Sequence, residues 1–102
     1  MDIGFEYRAR TLTVIPEGEL DHHAARPLMN AISDRIDTYL PGQCVIDLRK
    51  LSFMDSSGIA VILKTYKRMK ELGGQTWVEN AGVQPMKIIS MSGIERLVKI
   101  IY

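Results

Sequence analysis

Apolar positions along this chain switch between two periods, and the switches mark out its elements. The stretch FEYRARTLTVIP is rich in β-forming residues. The stretch reads as two short strands or one strand pair; the alternation through Thr11, Leu12, Thr13, Val14 and Ile15 predicts one buried face, ended by Pro16 and Gly18. From Asp21 the period becomes helical. Leu28, Ile32, Ile36 and Leu40 recur every four residues, flanked by Met29 and Tyr39, and Pro41–Gly42 stops the run. Pro27 is expected in the first turn or so, because proline has no N–H to give to a helix interior.

CVIDL, residues 44–48, is short and nearly all apolar, the pattern of a central parallel strand covered on both faces, with Asp47 the odd member. A loop follows. Ile59, Ile62, Leu63, Tyr66, Met69 and Leu72 then form a second helical stripe, predicting a helix from about 57 to 72 that Gly73 and Gly74 stop. QTWVEN, 75–80, predicts a strand. Pro85 is expected to open a short helix with Met86, Ile89 and Ser90 on one side and Gly93 past its end. LVKIIY, 97–102, predicts the last strand. The order β-β-α-β-α-β-α-β implies an α/β layer: a mixed, mostly parallel sheet of four or five strands with helices packed on it.

Composition narrows the function. The 102 residues suit one domain, 1–102, without repeats or linkers. Thirteen basic and twelve acidic residues leave a net charge of +1, which argues against nucleic-acid binding through bulk charge. The densest basic run, KRMK at 67–70, sits on a predicted helix and reads as a solvated face. The single cysteine, Cys44, excludes an intrachain disulfide and reads as a small buried residue. No apolar stretch approaches the roughly 18 residues of a membrane span. The N-terminus lacks the pattern of a secretory signal, so a cytoplasmic location is expected.

The chemistry gathers at FMDSSGIAV, residues 53–61. No glycine-rich phosphate loop is present, since the glycines of LGGQ lack the lysine and the spacing. His22 and His23 are adjacent, so on a helix they point about 100° apart, which disfavours a shared metal ion. A serine hydrolase would need Ser56 or Ser57, a histidine from 22–23 and an acid, but DSSG is not the G-x-S-x-G elbow. Capping accounts for one residue of the loop: Asp55 or Ser56 suffices. Ser57 is then spare. It stands in the first turn after a central strand, where α/β proteins place functional loops and where helix N–H groups favour negative charge. Ser57 is therefore a candidate to carry a phosphate.

LSFMDSSGIAVIL, GELDHHAA and MSGI together, in this order along nearly the whole chain, resemble the STAS domain of bacterial anti-sigma-factor antagonists, most closely the sporulation (SpoIIAA-like) type. The resemblance implies a protein that is not an enzyme and holds no metal or cofactor. It implies binding to an anti-sigma factor that is also a serine kinase, which then frees its sigma factor and permits transcription. The kinase would use ATP to phosphorylate Ser57 and so end binding; a serine phosphatase would reverse this. Asp55, Ser56 and Gly58 would shape the loop, with Gly58 keeping bulk out of the kinase's way. GELDHH, carrying Asp21, His22 and His23, would join the partner surface. No direct contact with nucleic acid or membrane, and a monomer, are expected. The family pattern usually continues into a C-terminal helix, which these residues do not reach; an uncovered apolar patch there would favour self-association. The alternatives are a STAS interaction or sensory module that is never phosphorylated, and the hydrolase.

Overall fold

The computed structural model describes residues 1–102. Strands β1 (Asp2–Arg8) and β2 (Thr11–Leu20) form an antiparallel hairpin, and helix α1 (His22–Tyr39) follows. Strand β3 (Gln43–Asp47), strand β4 (Leu51–Met54) and helix α2 (Ser56–Glu71) come next. Strand β5 (Gln75–Glu79), helix α3 (Val83–Ser92), a 3-10 turn at Ile94–Arg96 and strand β6 (Lys99–Ile101) complete the chain. The sheet runs β1-β2-β3-β5-β6, parallel except for the hairpin, and β3 is its buried central strand as the CVIDL run predicts.

The sheet has six strands rather than four or five, because Leu51–Met54, read as loop, pairs with the far end of β2. Its four residues, LSFM, are too few for a period to show, and a one-sided partner leaves its middle exposed. The pairing also explains why β2 does not stop at Pro16. Pro16 sits opposite Ile3 in the hairpin, and Gly18, at φ 106°, takes a backbone shape that L side chains rarely adopt. There the register shifts, and β2 exchanges β3 for β4, reaching Leu20 opposite Met54.

The helical stripes are corrected in detail. Leu28, Ile32 and Ile36 are buried, but Leu40 is the left-handed cap at the end of α1 and is exposed. Pro27 lies in the second turn on the exposed side, not the first. On α2, Val61, Ile62, Thr65 and Met69 are buried, while Ile59, Leu63 and Tyr66 are half-buried against the core and Leu72 is an exposed cap. Helix α3 begins at Val83, two residues before Pro85, and Ser90 faces solvent. The last strand is only three residues long, because the 3-10 turn occupies Ile94–Arg96 and Val98 turns inward.

Leu12, Val14, Cys44, Ile46 and Val78 supply the sheet side of one core that all three helices cover. Cys44 is fully buried, and burial pushes its thiol up to about 12. It is an inert packing group at any ordinary pH.

Candidate functional site

β2, β4 and β5 run parallel, so the helices that follow them all start at one rim of the sheet. Pairing of Leu20 with Met54 sets the starts of α1 and α2 side by side, and the Asp55 N–H donates to the Leu20 carbonyl at 3.2 Å. The segments 18–23 and 55–58, far apart in sequence, therefore form one surface, and Asp21, His22, His23, Asp55, Ser56 and Ser57 all lie on it.

Both α1 and α2 are capped by an aspartate. Asp21 Oδ1 accepts from the His23 and Ala24 N–H groups, both at 3.0 Å. The bond from Ala24 is the main reason its carboxyl titrates below the ordinary range, with the His23 N–H and the His23 and His22 charges adding to it and partial burial opposing. Asp55 Oδ1 accepts from the Ser57 N–H at 2.8 Å, and the Asp55 carbonyl accepts from the Gly58 N–H at 3.0 Å. The open choice of cap between Asp55 and Ser56 is thus decided for Asp55, and both serine hydroxyls are spare. The N–H groups of Ser57 and Gly58 are not free to greet an anion.

The two serines face different grooves. Ser57 is half-buried and lines the groove between α1 and α2, beside His22, Arg26 and Lys64. Ser56 is exposed and lines a groove between α2 and α3, beside Ile59, Ile88 and Met91. Ser56, not Ser57, is the more open to solvent. The distinction between them lies in surroundings: basic around Ser57, apolar around Ser56.

Gly58 is buried. A Cβ there would collide with the Met54 side chain and stand 3.1 Å from Leu20 Cδ2. Its lack of a side chain lets the first turn of α2 sit down on β4, so the close approach it permits is internal rather than toward a kinase. The His22 and His23 rings are exposed, with centroids 3.9 Å apart and planes tilted by 38°, closer than helical spacing suggested. No cluster of three or more His, Cys, Asp or Glu side chains suited to a metal ion forms anywhere.

Sequence reasoning missed the group that holds the loop from the other side. The Gln84 side chain, in the first turn of α3, accepts from the Met54 N–H at 2.8 Å and donates to the Met54 carbonyl at 2.9 Å. Its amide thus stands in for a neighbouring strand on the open edge of β4, immediately before Asp55. Asp47, at the end of β3, is also a structural anchor: its Oδ1 accepts from the Arg49 N–H at 3.0 Å and from Asn80 Nδ2 at 3.1 Å. Asp47 stands out in the sequence only as the odd member of an apolar run, and no periodic signal marks Gln84; the roles of both follow from where strands end in space.

The distinctive surface of this small α/β domain is an open serine loop between two capped helices. The chain belongs to the STAS-domain family, which it matches over residues 4–102. It is 32% identical over 100 residues, 98% of this chain and 86% of the relative, to an anti-sigma F factor antagonist of Paenibacillus polymyxa. It is 34% identical over 77 residues, 76% of this chain and 66% of the relative, to one of Lysinibacillus sphaericus. Among solved structures it is similar to unphosphorylated SpoIIAA, an anti-sigma factor antagonist. That similarity has a TM-score of 0.84 at 27% identity and covers 99% of this chain and 89% of the other. Phosphorylated SpoIIAA of Bacillus is also similar, with a TM-score of 0.74 at 27% identity over 99% of this chain and 92% of that one. No helix of the protein is long and apolar enough to cross a membrane.

Proposed function

We propose that this protein is an anti-sigma-factor antagonist: unphosphorylated, it binds an anti-sigma factor that is a serine kinase, and phosphorylation of Ser57 ends that binding. The observation that carries the reading is the shared surface of the Asp21–His23 and Asp55–Ser57 segments, on which Asp55 caps the helix and leaves the Ser57 hydroxyl uncommitted. The antagonist relatives, one of them known in unphosphorylated and phosphorylated forms, support it. In the transfer, Ser57 Oγ forms a bond to the γ-phosphorus of ATP, the bond to the ADP oxygen breaks, and the hydroxyl proton passes to a base of the kinase. ATP is the kinase's substrate, and this chain acts by binding rather than catalysis. A serine phosphatase resets it.

A phosphoserine brings nearly two negative charges. At the start of α2 these are compatible with the fold, being favoured by about 0.3–1 kcal/mol. A partner packed against the same surface would have to desolvate them, so binding suffers while the domain stays folded. Titration calorimetry with the cognate kinase tests this. Parent protein and Ser57→Ala should both bind, Ser57→Ala should stay bound when ATP is added, and Ser57→Asp should bind weakly. If Ser57→Ala is released by ATP as the parent is, Ser57 is not the switch. A serine hydrolase would instead react with an active-serine probe, which this reading predicts it does not.

A further inference from the structure

Two cations flank the groove beside Ser57. Only Arg49, Lys50 and Arg68 of the thirteen basic residues stand within 4 Å of a carboxylate, so what marks the pair at the groove is where they lie. Arg26, from α1, and Lys64, from α2, have no such partner; both are exposed and both line the groove that Ser57 lines, over a floor that includes the buried Val61. The groove has a volume of about 450 Å³, ample for a phosphoryl group. The backbone offers that group little, because the N–H groups of Ser57 and Gly58 are already taken by Asp55. Side-chain donors on the groove are His22, the Asn30 amide, the Arg26 guanidinium and the Lys64 ammonium, and the two permanent charges of Arg26 and Lys64 match the nearly two of a phosphoserine.

We infer that Arg26 and Lys64 are an intramolecular receptor for the phosphoryl group on Ser57, drawing it into the α1–α2 groove of its own chain. This rests on Ser57 being the phosphoacceptor. Once held there, the phosphate stays on the surface that a partner has to cover, fixed in one place, and the bridge ties α1 to α2. The other charged or titratable groups at this place are His22 on the groove and, at the helix starts, His23, Asp21 and Asp55. The two carboxylates keep their charge while they cap the helices, and Asp55 opposes a phosphate on Ser57; Arg26 and Lys64 are the two permanent cations that offset it.

The test needs no kinase. Phosphoserine is incorporated during synthesis at position 57 and, separately, at position 56, and each protein is titrated by phosphorus NMR. The second ionisation of phosphoserine at 57 should fall below its usual value near 6 by about 1 pH unit, as expected for a charged group beside opposite charge. Phosphoserine at 56, facing the apolar groove, should titrate closer to the usual value. The Arg26→Gln/Lys64→Gln double variant should lose most of the shift at 57, keeping only what the helix start supplies, while its unphosphorylated form melts as the parent does. Identical titration of phosphoserine 57 in parent and double variant would overturn the inference. So would saturation of the unphosphorylated groove by inorganic phosphate at low millimolar concentration, which would make it a general anion site. A kinase that ignores Ser57 would refute the switch and leave this measurement unchanged, so the two failures are separable.

Discussion

At the scale of single residues, the acceptor loop is built from groups with one task each. Asp55 caps, Gly58 makes room for Met54 and Leu20, and Ser57 is left over. Gly58→Ala should therefore destabilise the fold by about 1–3 kcal/mol through overpacking, seen as a lower urea midpoint. An unchanged midpoint would mean that Met54 moves aside at no cost. Asp21 has two roles on one carboxylate, as cap and as candidate contact, so its replacement by alanine should lower the melting temperature as well as affinity. Its folded carboxyl titrates below 3.8, the ordinary value. Its stabilising contribution is therefore complete above that value and disappears as pH falls through the folded one. Asp21→Asn, which keeps a capping oxygen, should flatten that part of the acid unfolding curve; an identical curve would show that the cap is not felt. The sequence disclosed that a capping residue sits at the start of α2. It could not say that Asp55 rather than Ser56 takes the task, because both residue types are good caps and only the loop's path chooses.

At the scale of elements, the long stripes were legible and the short strand was not. Eighteen and sixteen helical residues give a period time to repeat, whereas the four residues of β4 do not. The stripe on α2 also blurred its centre. Ile62 is 1% exposed, while Leu63 is only half-buried at the edge of the core. Ile62→Ala should accordingly cost about 2–5 kcal/mol in denaturant unfolding, and Leu63→Ala distinctly less; the reverse order would contradict the packing. Gln84 escaped notice because a glutamine before a proline carries no pattern. Its two bonds to Met54 fix the edge of β4 just ahead of the loop. Gln84→Ala should lose about 1–3 kcal/mol and speed amide exchange at Met54, while Val45 in the central strand stays protected. Equal acceleration at both amides would show global loosening instead of a local clamp.

At the scale of the whole molecule, parallel strand order accounts for the site. It brings the starts of α1, α2 and α3 to one rim, and the passage of β2 from β3 to β4 sets the first two side by side. The same rim holds an apolar groove at Ser56 and a basic groove at Ser57, so one modification acts on one side of α2 only. The central claim is a switch that leaves the fold intact and changes the surface. The most direct measurement incubates the protein with its anti-sigma kinase and ATP, maps the phosphate by mass spectrometry, and compares the affinity of the two forms for the kinase. The account predicts phosphate on Ser57 alone and much weaker binding by the modified form, with the fold retained. Phosphate on Ser56, or equal affinity of the two forms, would contradict it.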